Sequence, residues 1–394
     1  MNYIIFEDNN TKLLSPFCDL HATFELRTGV FTNIDRLFLQ ISKDDSLQIY
    51  VRNEIKDIIR DRYPNIDVNP ETYNPGIYLN GNSVWYDKDI QSIEQNLSYS
   101  NSSGLAAFMY DKSINYNEVE ALIQDQLAVS SKLDVISIKY LWDIFDRLSA
   151  IISKDFLALS HCKKGALHPS CVLIDDDNIM IDDAEISAGT VLDASDGPII
   201  IDKNAIIDIG VLIKGPVYIG KNSIINPGAK IRGPVSIGDH SKIGGEVEDS
   251  IVQGFSNKQH DGFLGHSYVG EWVNLGANTN TSDLKNNYSN IRIKLDSKNE
   301  IDTEKIFIGS IIGDFTSTAI STKLNSGTYI GTGSNIFDDI FKVKYIPAFS
   351  WGKDDKVGLN RFIKRCQIAM NRREKVLPDS LKDRLINLWK RETN

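Results

Sequence analysis

At 394 residues the chain is long enough for two or three domains, and 41% hydrophobic residues suffice for sizeable cores. A net charge of −10 without a basic run argues against a nucleic-acid partner, and no window reaches the apolar length of a membrane span. The acidic N-terminus, MNYIIFEDNN, is unlike a signal peptide, and the four scattered cysteines form no CxxC; together these set the expectation of a reduced, cytoplasmic compartment without a zinc or disulfide framework.

Residues 1–160 alternate strand and helix patterns. Tyr3 to Phe6 reads as a buried strand, and Ile34, Leu37, Phe38 and Ile41 mark one helical face. Leu47 to Val51, Ile77 to Leu79 and Leu105 to Tyr110 read as strands; Ile55 to Ile59, Glu118 to Leu133 and Lys139 to Leu159 read as helices. The alternation predicts an α/β domain with a mainly parallel sheet, whose ligands sit at the carboxyl ends of the strands. The residues expected there are Glu7, Asp8, Asn80 and Asn82.

From Ile201 the pattern changes. Ile201, Ile207, Ile213, Ile219, Ile225, Ile231, Ile237 and Ile243 recur every six residues, and a small or β-branched residue follows each four positions later. A helix needs spacings of three and four, and a plain strand alternates every two. A short strand plus a corner, repeated, gives six, with Asp, Asn or Gly taking the corner where φ > 0 is cheap for them. Residues 165–340 are therefore expected to form a parallel β-helix of hexapeptide repeats, in which no coil is stable without its neighbours. The frame shifts after Asp249-Ser250 and restarts at Ile251, and NKQHDG (257–262) lacks the aliphatic residue and reads as a bulging loop. Phe263, Val269 and Leu275 resume it; a polar segment from Thr281 to Lys305 leaves it; Ile306 begins a last run. Residues 341–394 read as a helical tail whose first helix, Leu359 to Arg373, is apolar on one side and basic on the other, suited to capping the β-helix or to lending charge to a phosphate site.

The stretch His260 to Tyr288 gathers His260, His266, Tyr268, Asn274 and Lys285 where the repeat is most disturbed, and departures from a regular coil mark function. Histidine titrates near neutrality and suits a general base, while amides, hydroxyls and corner N–H groups can orient a sugar or stabilise an oxyanion.

GHSYVGEWVNLGANT (265–279) resembles the acetyl-transfer segment of bifunctional N-acetylglucosamine-1-phosphate uridyltransferase/glucosamine-1-phosphate acetyltransferases, including their archaeal and Bacteroidetes-type relatives. The resemblance implies a left-handed β-helix, a homotrimer and acetyl-CoA as acetyl donor. It places the family's His on His266, its Tyr on Tyr268, its Asn on Asn274, its backbone Ala on Ala277 and its phosphate-gripping Arg on Arg232, and Asn287-Tyr288 resembles the family's Asn-Tyr pair. His266 precedes Tyr268 by two residues where the family spacing is three, which changes the strand face and keeps His260 open as the base. The N-terminal half lacks the family's Gly-rich phosphate loop. Its ELRTG segment resembles the variant relatives and makes Arg27, with Lys12, the expected phosphate ligands; the family's Mg²⁺-holding Gly-Asp is matched only by Asn80-Gly81-Asn82, whose amides are poor ligands, so Glu7, Asp8 or Asp19 is expected to take the metal instead. The implied function is acetyl transfer to an amino-sugar 1-phosphate plus nucleotidyl transfer from a nucleoside triphosphate to a sugar 1-phosphate. The alternatives are a thymidylyltransferase acting on glucose 1-phosphate and a non-catalytic nucleotide-sugar-binding trimer.

Overall fold

The computed structural model describes residues 1–42, 44–95, 97–159 and 163–393. It divides into two compact units: Met1–Leu26 with Phe31–Leu141 and Pro378–Leu385, and Arg27–Val30 with Trp142–Leu377 and Ile386–Asn394.

The first unit is built on a seven-stranded sheet. Its order is Asp67–Val68, Ser46–Tyr50, Asn2–Phe6, Gly76–Asn80, Gly104–Tyr110, Ser98–Asn101 and Ser131–Lys132. The first four strands run parallel, as do Ser98–Asn101 and Ser131–Lys132; Gly104–Tyr110 is antiparallel to both its neighbours, so the sheet is mainly parallel, as expected, with one strand reversed. Ile5, Ile49, Leu79 and Ala107 are fully buried on one side of it, and Ile4, Phe6, Tyr78 and Phe108 on the other, as a sheet covered on both faces requires. Two helices are shorter than the apolar pattern predicts. Val119–Ala128 stops before Ser131–Lys132, which pairs as an edge strand, and Leu141–Ile144 forms a 3₁₀ turn ahead of the helix Phe145–Leu157.

The second unit is a parallel β-helix. Ile201 pairs with Ile219 and Ile219 with Ile237, eighteen residues apart, so three hexads close one coil. In chain order the coil has a first face (Ile199–Ile201, Val217–Ile219, Val235–Ile237), a second (Ile206–Ile207, Ile224–Ile225, Lys242–Ile243) and a third (Leu212–Lys214, Lys230–Arg232, Glu246–Glu248). The inward isoleucines have essentially no exposure, which is worth about 1.5–3 kcal/mol each. Coiling begins by Val172–Ile174, ahead of the regular repeat, and runs past Phe341: Tyr345–Ile346 pairs with Tyr329–Ile330, and Ser350–Trp351 extends the second face.

Three register readings are corrected. After Asp249 the inward residue is Val252, which pairs with Ile237, while Ile251 faces outward beside Ser236. Six residues on, Lys258 occupies the aliphatic slot beside Ile243, and Leu264, not Phe263, fills the next one. NKQHDG is thus a coil segment rather than a bulge. Its lysine is buried, and its Nζ donates to the carbonyls of Gly244 and His260 at 2.9 and 2.8 Å. Ile306 is exposed, and the coil resumes at Ser310–Ile312.

The outward row of the first face (Tyr218, Ser236, Ile251, Tyr268, Ile311) is also buried, because the helix Phe145–Leu157 and the segment Arg27–Val30 lie on it. The helix Leu359–Asn371 buries Phe362, Cys366 and Met370, with Phe362 edge-on to Phe315 and Phe349. Among the described residues no helix is long and apolar enough to cross a membrane.

Candidate functional site

Arg232, Glu248 and Gly265 stand in register on three successive strands of the third face. Their outward positions are one strand spacing apart, so side chains from adjacent coils touch. Arg232 donates to Glu246 at 2.8 Å and also pairs with Glu248. Above Glu248 the column is bare, because Gly265 has no side chain. Asp283, from the segment leaving the coil, folds into that gap: a Cβ on Gly265 would stand 2.5 Å from its Oδ2. The chain turns out of the third face at His266, which takes φ 42°. Its Nδ1 is 2.8 Å from Asp283 Oδ2 and its Nε2 3.7 Å from Asp249 Oδ2. Phe307 stacks on the imidazole at 5.1 Å, and Phe145 meets it edge-on.

The corner thus gathers one imidazole, three carboxylates and a guanidinium. Burial raises the Glu248 and Asp249 carboxyls above the usual carboxylate range; Arg232 opposes the shift at Glu248 and His266 opposes it at Asp249, while Asp283 adds like charge to both. With Nδ1–H donated to Asp283, Nε2 carries the lone pair and can accept a proton. Asp283 was not among the expected residues. Its only signal in the sequence is a carboxylate in the segment following a disturbed histidine corner.

The remaining expected residues are dispersed. His260 is exposed at a different corner, between the second and third faces, where an open groove runs along Gly244, Gly245, Ala277 and Asn278. The two histidines therefore do not share a site in one chain. Asn274 lies on the second face, beside Asn257. Tyr268 has no exposed surface, and its hydroxyl is 3.3 Å from Gln253 Oε1; it cannot orient a sugar in this conformation. Lys285 folds back on its own loop toward Ser289 and the Asn290 carbonyl, Asn287 accepts from the Ser289 N–H at 3.2 Å, and Tyr288 is exposed.

In the first unit the carboxyl ends of Asn2–Phe6 and Gly76–Asn80 lie side by side, as the parallel pairing dictates. Asp8 sits there, accepting from the Asn10 N–H at 2.8 Å and from Asn80 Nδ2 at 3.0 Å, and burial raises its carboxyl. Asn80 Oδ1 in turn accepts from the Asn82 N–H at 3.1 Å. Glu7 is not a metal ligand in this arrangement: it is buried, paired with Arg52, and accepts the Thr23 N–H at 2.9 Å. Lys12 is exposed on the 3₁₀ turn Thr11–Leu14. Arg27 belongs to the second unit and is buried there. Its guanidinium donates to the carbonyls of Val30 and Gln253 at 2.7 and 3.3 Å and lies over the Tyr218 ring, so it cannot grip a phosphate. Among the described residues the single cluster of His, Cys, Asp or Glu with metal-ligand proximity is Glu248, His266 and Asp283. Of the first unit's expected metal carboxylates, Glu7 is taken by Arg52, whereas Asp8 has no ion-pair partner among the described residues.

Residues 3–164 match the sugar nucleotidyl transferase family, and residues 218–248 match the bacterial transferase hexapeptide (six repeats). A segment of 107 residues is 30% identical to a protein named "Bifunctional protein GlmU" from Methanococcus aeolicus; the match covers 26% of each chain, so this chain spans about a quarter of the length of that relative.

Proposed function

We infer, from the match of residues 3–164 to sugar nucleotidyl transferases and of residues 218–248 to bacterial transferase hexapeptide repeats, that the chain acts as a transferase. We propose that it is a transferase of nucleotide-sugar biosynthesis whose β-helix moves an acetyl group from acetyl-CoA to the amine of an amino-sugar 1-phosphate. The observation that carries this reading is the Asp283–His266 pair at a corner of the coil, with Nδ1 engaged and Nε2 left to act as base. His266 takes the proton the amine loses as its nitrogen bonds to the acetyl carbon; the C–S bond breaks, the proton passes from the imidazole to the leaving thiolate, and the products are an amide and the CoA thiol. Arg232 is the cation assigned to the sugar phosphate, which must displace Glu246 or Glu248 to reach it. The groove along Gly244, Gly245, Ala277 and Asn278 suits an extended cofactor, because glycines and a small residue let it approach the backbone. Groove and His266 lie at different corners, so this reading needs the corner of one chain set against the groove of another, as in a homotrimer. His266→Ala should lower acetyl transfer to glucosamine 1-phosphate at least about a hundredfold, and His260→Ala should not. The reverse result would move the base to His260.

For the first domain we propose nucleotidyl transfer to a sugar 1-phosphate in the cytoplasm, with Asp8 and the phosphates holding Mg²⁺. The ion would neutralise charge on the transferred phosphoryl group, and Asp8, fixed by Asn10 and Asn80, would position it. A second reading rests on a specific observation. Glu7 is committed to Arg52 and Arg27 to backbone carbonyls, which leaves little charge for phosphoryl chemistry and favours a nucleotide-sugar-binding module. Mg²⁺-dependent pyrophosphate release from UTP or dTTP with glucosamine, N-acetylglucosamine or glucose 1-phosphate, lost in Asp8→Asn, decides for catalysis. Its absence with every pairing decides for the module.

A further inference from the structure

The corner between the first and second faces is built unlike the other two. Its early coils use Asn204 and Asn222, a residue type that takes positive φ at low cost. The next coils put His240, Phe255, Trp272 and Phe315 there, at φ 57°, 53°, 60° and 56°. A bulky side chain in that region costs about 1–2 kcal/mol, and the coil itself asks for no ring, since asparagine serves in the turn just before His240. The rings form a ladder: His240 on Phe255 at 4.8 Å, Phe255 on Trp272 at 4.5 Å and Trp272 parallel to Phe315 at 6.2 Å. Phe315 packs on Phe362 of the helix Leu359–Asn371, whereas Phe255 and Trp272 remain half-exposed.

Between these rings and that helix is a cavity of about 320 Å³ lined by Phe255, Trp272, Lys242, Arg365, Arg372 and Arg373, with no carboxylate in its wall. Arg365 is held over it by the carbonyls of Phe315 and Gly333, and Arg373 by Asn257 Oδ1 at 2.8 Å. The side chains of Lys242 and Arg372 have no hydrogen-bonding or ionic partner among the described residues. Burial pushes the Arg365 and Arg373 guanidinium groups below their usual range, and Arg372 adds to this at Arg373. Four cations around half-exposed rings, with no carboxylate among the described lining residues, make a site for an anion joined to a planar group.

We propose that this cavity binds a nucleoside diphosphate, its base against Phe255 and Trp272 and its diphosphate on Lys242, Arg372 and Arg373. The volume lies at the small end of ligand pockets, as a mononucleotide requires. The site lies at a different corner from His266 and from the Ala277 groove, with which it shares only Gln259 among the described residues, so it does not depend on the acetyl-transfer reading. Hydrogen exchange of the whole chain, followed in the helix Leu359–Asn371 against ligand concentration, tests it locally and is blind to binding in residues 3–164. UDP should protect the helix, inorganic pyrophosphate should do so more weakly, and Trp272→Leu should remove most of that difference. The double variant Lys242→Met with Arg372→Gln touches no partnered group and should weaken UDP protection at least tenfold. No protection by UDP, equal protection in the double variant, or protection by coenzyme A alone would overturn the proposal.

Discussion

Lys258 is the residue whose chemistry departs furthest from its place in the repeat. It fills an isoleucine slot, and burial lowers its ammonium to about 8. Between pH 8 and its ordinary value of 10.5 the unfolded chain binds more protons than the folded one, so stability rises with pH across that window. Below pH 8 the cost of holding the charge inside is fully present, on the order of 3 kcal/mol. Lys258→Met should therefore flatten the rise in urea midpoint between pH 7.5 and 10, with all other titrating groups common to both proteins. An unchanged rise would mean that Lys258 is not the group responsible. Asp283 makes a different prediction. Asp283→Asn keeps the size but removes the charge that fixes the Nδ1–H tautomer of His266. One charge-assisted hydrogen bond is worth roughly 1.5–3 kcal/mol, so acetyl transfer should fall about ten- to a hundredfold, and Asp283→Glu, which keeps the charge, should retain part of the rate. An Asp283→Asn variant as active as the wild type would leave Asp283 a merely structural role.

At the scale of the element, the coil was legible from spacing alone wherever the hexads are strict. Six residues per face and three faces per coil follow from the isoleucine column, and the pairing of Ile201 with Ile219 reproduces it. The reading slipped by one residue at Ile251, because two aliphatics stand side by side there and only the pairing with Ile237 tells which is inside. That slip hid Lys258, which the frame from Val252 puts in the aliphatic slot. The tail of the coil was missed for a related reason: Lys342 to Gly358 has too few aliphatics to repeat, yet Ile346 still fills the core. Where a side chain's availability turned on burial, the sequence was silent. Nothing in ELRTG shows that Arg27 is covered, or that Glu7 meets Arg52. Because each coil is stable only against its neighbours, the strict region should tolerate a cavity poorly. Ile225→Ala should cost about 2–5 kcal/mol, read as a fall in denaturant midpoint with the slope unchanged.

For the whole molecule, the open question is what covers the third face of the coil. The first face carries the helix Phe145–Leu157, and the helix Leu359–Asn371 packs against the rings at the edge of the second. On the third, Val172, Val191 and Leu212 stand in one register column across three coils, with Val172 49% and Leu212 46% exposed and Ile174 beside them. Three aligned apolar side chains on successive strands form a continuous stripe rather than scattered surface residues. The proposed trimer would bury that stripe and, in the same step, bring the His266 corner of one chain to the Ala277 groove of the next. Leu212→Asp puts a charge in the middle of the stripe without touching the coil interior, since position 212 points outward. Light scattering at micromolar concentration should show a trimer for the wild type and a monomer for the variant. Acetyl transfer should disappear with the trimer, while nucleotide-dependent pyrophosphate release, which needs only the first domain, should persist. A wild-type monomer that still transfers acetyl groups would remove the need for a second chain and return the search for the cofactor groove to a single corner of the coil.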